Sequence, residues 1–183
     1  MSDITNLQYP IGKASEQSYF ERSIDDAEAK RIFLSDIINL PNLLENSILN
    51  LDVEQLNTPY REGGWTIKQV VHHVADSHAN AYIRFKLGLT EDNPIIKPYE
   101  EAAWANLEDS KNVPINVSLT WLHAMHIRLY ETIKNLTKDQ WERTVFHPEQ
   151  KKEISLWDLL KTYSWHGKHH TAHITELRKR KGW

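Results

Sequence analysis

The chain has 183 residues, 40% of them hydrophobic and 26% charged, with a formal net charge of -3. That is enough for one domain with a single sizeable core, and the mild acidity argues against a nucleic-acid binder, which needs a basic face to neutralise phosphates. There is no cysteine, which excludes disulfides, thiolate metal ligands and a cysteine nucleophile together.

In chain order, residues 1–21 read as an irregular N-terminal arm, with Pro10 and Gly12 and no sustained periodicity, and 22–183 as a single metal-binding four-helix-bundle domain. The first ten residues lack a basic-then-apolar signal pattern, and no apolar run approaches the length of a membrane span. The expectation is a cytoplasmic protein with no membrane partner. From Ser23 the pattern turns helical, with apolar residues at Ile32, Phe33, Ile37, Leu40, Leu43, Leu44, Ile48 and Leu51; Pro41 inside it predicts one kinked helix or two that meet there. Residues 57–64 form a loop. Thr66 then caps a second helix, with Gln69 completing a capping box, and that helix runs to about Leu89.

Residues 90–116 hold Pro94, Pro98 and Pro114 around a short helical piece near 100–107. A connection this long is functional or links helices that do not run antiparallel. Ser118 is the expected cap of a third helix ending near Leu136, followed by a short turn with a Thr137–Gln140 box. Residues 142–154 read as a small hairpin or an ordered loop. Ser155 caps the last helix, which ends near Lys179 with Gly182 as terminator and Arg178 to Lys181 complementing the helix dipole. The fold class is all-α, a four-helix bundle with a long connection between helices 2 and 3.

Ten histidines and seven tryptophans stand out in the composition. On the last helix, setting His170 at zero and advancing about 100° per residue puts Tyr163 at about +20° and Leu159 and Leu177 at about -20°. His170 therefore lies in the apolar stripe, with His166 at about -40°, His173 at about -60° and His169 turned to the rim at about -100°. Two histidines at i and i+4 project from adjacent turns about 6 Å apart and can chelate one ion through bonds of about 2.1 Å. The alternative is a pair of core histidines bonded to each other or to a carbonyl, but several imidazoles without partners cost several kcal/mol to bury.

A third ligand must come from elsewhere. On the second helix His78 lies within the apolar face, His73 at its edge beside Val70 and Ser77, and His72 on the opposite side, expected to face water or a partner. Periodicity leaves His73 and His78 both open. His123 and His126 on the third helix are expected at the surface or rim, and His147 in a turn.

The sequence resembles the DinB/YfiT-like superfamily of metalloenzymes, and within it the YfiT group of metal-dependent hydrolases. The resemblance covers most of the chain and rests on Y-P-I-G from Tyr9, on T-P-Y-R-E-G-G-W-T-I-K-Q-V-V-H-H-V-A-D-S-H-A-N-A-Y-I-R-F-K-L from Thr58, and on W-H-G-K-H-H-T-A-H-I-T-E-L from Trp165. It implies a four-helix bundle in which one helix-2 histidine and two helix-4 histidines spaced by four hold a metal. The matching positions are His73, His166 and His170, so the resemblance selects His73 where periodicity did not. It also implies a homodimer, one divalent metal per chain of the zinc or nickel type, and a small-molecule substrate. Where some relatives read W-H-x-H-H-H, this chain has Lys168, off the ligand positions.

Three protein ligands leave a metal coordinatively unsaturated, which suits water activation and hydrolysis. The alternatives are thiol S-transfer at the same kind of site, and a bundle that metal merely stabilises. Asp76 is a candidate acceptor for an imidazole N–H, His173 a candidate base or core residue, and Tyr163 and Arg84 candidate substrate contacts. No catalytic residue is assigned among them, and no nucleophilic serine motif is present.

Overall fold

The computed structural model describes residues 7–183 apart from the side chain of Tyr19; residues 1–6 of the expected arm lie outside the described residues. The bundle is built from α1 (Ala27–Ile48), α2 (Ile67–Thr90), α3 (Ile115–Ile133) and α4 (Leu156–Lys181). Three of these begin where a side chain satisfies free backbone N–H groups. Asp26 accepts from Ala29 N before α1, Thr66 forms its box with Gln69 before α2, and Ser155 accepts from Asp158 N before α4. Gly182 closes α4 at a φ of 69°, the left-handed conformation a side chain resists.

Two starts differ from the sequence expectation. α1 begins behind Asp26, because a carboxylate there caps the helix while Ser23 Oγ accepts from Asp25 N in the preceding turn. α3 begins at Ile115 behind Pro114 and not at Ser118, whose hydroxyl bonds His72 Nδ1 instead. α1 passes through Pro41 as one helix. A proline has no N–H for the carbonyl four residues back, so the carbonyl of Ile37 is released, and it accepts from His126 Nδ1 at 2.5 Å.

Contacts join α1 to α4, α4 to α2, α2 to α3 and α3 to α1, so the consecutive pairs α1/α2 and α3/α4 sit on the diagonals of the bundle. The apolar core falls into two clusters. One holds Phe33, Ile37, Phe85, Leu129, Ile133, Trp141, Leu156 and Leu160; the other holds Leu40, Leu44, Val70, Val74, Leu122, Met125, Ile174 and Leu177. Chain order through them gives direction: α1 and α4 run from the first cluster to the second, α2 and α3 from the second to the first. α2 and α3 are therefore parallel neighbours, which a tight turn cannot join, and this is why residues 91–114 form so long a connection.

That connection carries short helical turns at Glu101–Trp104 and Glu108–Asn112 and is tied by an Ile95–Phe146 bridge to a hairpin. The hairpin pairs β1 (Thr144–His147) antiparallel with β2 (Lys152–Ser155). Just before it, Arg143 donates to the carbonyls of Gly88 and Glu91 at the C-terminal end of α2, at 2.6 and 2.5 Å. The arm lies against α4: Lys161 Nζ donates to Phe20 O and Trp157 Nε1 to Arg22 O. Among the described residues no helix is long and apolar enough to cross a membrane.

Between the two apolar clusters lies a layer of imidazoles. On α2 His78 falls between Val74 and Ala81, on α3 His126 between Met125 and Leu129, and on α4 His166 and His170 between Tyr163 and Ile174. At this level α1 and α4 approach closely. A Cβ on Gly167 would lie 2.8 Å from both Leu40 methyl carbons, so any larger residue there would force Leu40 to move.

Candidate metal centre

Helical spacing places His166 and His170 on adjacent turns of α4, ring centroids 4.5 Å apart, and His73 of α2 completes the group at 5.3 and 4.7 Å from them. Nε2 of His73 is 3.2 Å from Nε2 of His166, and one nitrogen from each of the three rings lies within 4.8 Å of the others. An ion with bonds of about 2.1 Å holds two nitrogens about 3.0 Å apart at a right angle and about 3.4 Å apart at the tetrahedral angle. The 3.2 Å separation falls between these, so this pair of nitrogens suits a first-row divalent ion, with a His170 nitrogen within 4.8 Å of both. Trp65 packs over His73, ring centroids 4.5 Å apart, and helps fix its plane.

Burial holds these rings neutral. It pushes His73 down to about 4, with His173 adding to the effect, and takes His166 and His170 well below the ordinary histidine value, neighbouring imidazoles adding to it. A neutral imidazole keeps one lone pair for a ligand bond. His73 and His170 are buried and His166 is half-buried. The reason is a cavity of about 290 Å³ whose wall includes His166, Ser77, Arg84, Tyr163, Tyr99 and Glu101. Arg84 Nη1 donates to Tyr163 Oη at 2.8 Å. Burial raises the Tyr163 phenol above its ordinary value, so at neutral pH it keeps its hydrogen as a donor.

The remaining histidines occupy defined places, several of them unlike the sequence expectation. His78 is fully buried behind His166, its Nε2 3.3 Å from the Nδ1 of that residue. The two open choices on α2 are thus on different sides of His166, His73 at its Nε2 and His78 at its Nδ1. His72 does not face water: the end of the 91–114 connection and the start of α3 cover it, with Nδ1 2.7 Å from Ser118 Oγ and Nε2 3.2 Å from Val113 O. With Nε2–H donating to the carbonyl and Nδ1 accepting from the hydroxyl, it has no lone pair left for a metal. His126 is not at the rim but fully buried in the imidazole layer, while His123 is half-buried beside Glu45 Oε2 at 3.0 Å. His169, expected at the rim, is buried because the arm covers that side of α4, with Tyr9 at 5.9 Å and Trp165 stacked at 4.4 Å. His147 ends β1, buried.

His169, His170 and His173 form a second group whose nitrogens lie within 4.8 Å of one another. It shares His170 with the first and comes from one helix. Its members His169 and His173 are pushed by burial to about 3 and about 4. Among the described residues no hydrogen bond joins Asp76 to an imidazole; burial, with Asp109 nearby, raises its carboxyl to about 6.

Comparison with known proteins places this geometry in context. A family model described as the DinB superfamily matches residues 39–174. A protein of Bacillus cereus (strain 03BB102) named "Putative metal-dependent hydrolase" is 50% identical over 180 residues, 98% of this chain and 100% of that protein. An Oceanobacillus iheyensis protein of the same designation is 48% identical over 182 residues, 97% of this chain and 99% of its own. Among solved structures, YfiT from Bacillus subtilis, described as "a probable metal-dependent hydrolase with an unusual four-helix bundle topology", superposes with a TM-score of 0.90 at 46% identity. The match covers 97% of this chain and 99% of that one.

Proposed function

The chain belongs to the DinB superfamily, and from that membership and the arrangement of its histidines we propose that it is a metal-dependent hydrolase holding one divalent ion on His73, His166 and His170. The observation that carries the reading is the 3.2 Å approach of the His73 and His166 Nε2 atoms beside His170, at the wall of a cavity. Of the two histidine groups this one alone draws ligands from two helices and touches that cavity; His169 and His173 have the arm over them.

Three imidazoles accept zinc or nickel, zinc being the expected occupant. An ion held there supplies Lewis acidity, which makes a water more acidic and draws electrons from a carbonyl or phosphoryl oxygen. The chain's own groups do the rest. Arg84 gives the cavity a fixed positive charge and orients the Tyr163 hydroxyl through its hydrogen bond. Having accepted from Arg84, that hydroxyl directs its own hydrogen to another acceptor, and a substrate oxygen that gains negative charge as its bond is attacked is such an acceptor. The cavity, about 290 Å³ in volume, suits a small molecule or the end of a larger one.

Elemental analysis of untagged protein purified without nickel resin tests the reading. About one zinc or nickel per chain in the wild type, lost in His166→Ala and in His73→Ala, is the expected result. Hydrolysis of an ester or amide panel should vanish with it. Wild-type protein that takes up no added zinc refutes the site, and turnover only when a thiol is supplied as co-substrate replaces hydrolysis with thiol transfer.

A further inference from the structure

We propose that two imidazole relays, each ending on a backbone carbonyl, hold His170 and His166 as Nδ1–H tautomers, with His173 and His78 as the positioning residues that keep each Nε2 open as a lone-pair donor. The proposal rests on the reading of His73, His166 and His170 as metal ligands. Its logic is that a carbonyl oxygen only accepts, so a relay that ends on one has a fixed direction.

The first relay is continuous. Nε2 of His173 is 3.0 Å from the carbonyl of Gln8, so this nitrogen carries the hydrogen. A neutral ring protonated at Nε2 has its lone pair at Nδ1. That atom is 3.4 Å from Nδ1 of His170, and only a hydrogen on the His170 nitrogen makes the contact a bond. His170 is then left with a lone pair at Nε2. The opposite tautomer would set two buried lone pairs against each other and close Nε2 to a metal.

The second relay starts from the carbonyl that Pro41 releases. His126 Nδ1 donates to Ile37 O at 2.5 Å, which leaves its lone pair at Nε2, a buried atom with no hydrogen-bond partner among the described residues. The neighbouring ring is His78, with centroids 4.8 Å apart, and its Nδ1 is likewise buried with no partner among the described residues. With its hydrogen on Nδ1, His78 leaves a donor and an acceptor on adjacent rings, opposite in polarity though not hydrogen-bonded to each other. Its Nε2 then accepts from His166 Nδ1, 3.3 Å away, and His166 Nε2 is open. With its hydrogen on Nε2, two unpaired lone pairs remain buried and His166 Nε2 is blocked. His73 fits either state, since without metal its Nε2–H can donate to His166 Nε2 across 3.2 Å. The groups that hold the α4 ligands in register thus come from the arm and from α1, neither of which contributes a ligand.

The test is the tautomer of each ring in metal-free, full-length protein, read from long-range 1H–15N correlations with 15N-histidine and assigned by single His→Gln variants. The expected result is Nδ1–H for His170, His166, His78 and His126, and Nε2–H for His173. His170 or His166 found as the Nε2–H tautomer overturns its relay. Zinc titration of His173→Phe and His173→Gln is the second readout. Phenylalanine keeps the stack that His173 makes on Tyr60, centroids 3.9 Å apart, but removes both nitrogens. Zinc affinity should fall about 10- to 100-fold in His173→Phe with helical content retained, and His173→Gln, whose side-chain oxygen accepts, should recover most of it. Unchanged affinity in His173→Phe overturns the relay. Wild-type protein that binds no zinc but shows the assigned tautomers removes the metal reading and leaves the proton polarity standing.

Discussion

Acid should unfold the metal-free protein well above the pH at which most proteins yield, and the buried imidazoles set the size of the effect. His73, His126 and His173 are held by burial at about 4 against an ordinary value of 6.5. For a group whose pKa is lowered by folding, the unfolded chain binds protons first as pH falls, so its stabilising effect is complete above 6.5 and lost on the way down to about 4. Each of these histidines then costs about 3 kcal/mol across that window. Asp76 works the other way. Raised to about 6 by burial, it favours the folded chain while protonated, and that contribution, at most about 3 kcal/mol for a half-buried group screened by solvent, is complete below its unfolded value near 3.8 and lost as pH rises through 6. Even if neighbouring rings share their effects so that only three histidines count, the net loss between pH 7 and pH 4 is about 6 kcal/mol, comparable with the whole stability of a domain. With a urea slope near 2 kcal/mol/M, the midpoint should drop by about 3 M. Urea titrations of chelator-treated protein at half-unit intervals from pH 7.5 to 4.5 measure this directly. A midpoint constant over that range would show that these rings titrate normally, and the account of the buried layer would fail.

Two substitutions separate structural from functional groups around the site. Ser118→Ala removes the partner of His72 Nδ1 in a part-buried setting, so it should cost about 1 kcal/mol in thermal or urea unfolding while metal content stays at the wild-type level. Loss of metal in that variant would mean His72 belongs to the centre. Arg84→Ala removes the cavity's cation and the donor to Tyr163, and should lower kcat/KM for any substrate found by about 10-fold or more with metal stoichiometry unchanged; equal kcat/KM would take Arg84 and Tyr163 out of the substrate's path.

Much of the bundle was legible because its signals are local. The Thr66–Gln69 and Thr137–Gln140 boxes, Ser155 and Gly182 mark ends by hydrogen bonds that span three or four residues. The length of the 91–114 connection correctly allowed for helices that are not antiparallel. The burial of His72, His126 and His169 was not legible, and two of the three errors, at His72 and His169, share a cause. A helical wheel records one helix's own apolar face and knows nothing of what the rest of the chain lays over the other sides. His72 is covered by the connection and α3, and His169 by the arm. His126 lies in the core, on α3, where the rim was expected by default because the sequence showed no further partner for the His123–His126 pair. Periodicity also left His73 and His78 open for a sound reason: both face His166, from its two sides.

One level of the bundle gathers the features that local rules count against a helix. Pro41 sits inside α1, where it removes a donor at a typical cost of about 3 kcal/mol. Gly167 sits inside α4, at about 1 kcal/mol relative to alanine, and Leu40, next to Pro41, fills the space its missing Cβ leaves. Beside them a layer of histidines divides what leucines would have made one continuous core, and leaves nitrogens of His78, His126 and His169 without partners among the described residues. Each feature alone is an ordinary imperfection. Together they act on one another: the proline frees the Ile37 carbonyl that orients His126, the glycine lets α1 close against α4, and α4 carries His166 and His170 in that same layer. A fold selected for stability alone would have no reason to concentrate its exceptions at one height. Such a concentration is expected where a fold accommodates a site, and it points to this layer independently of any relative.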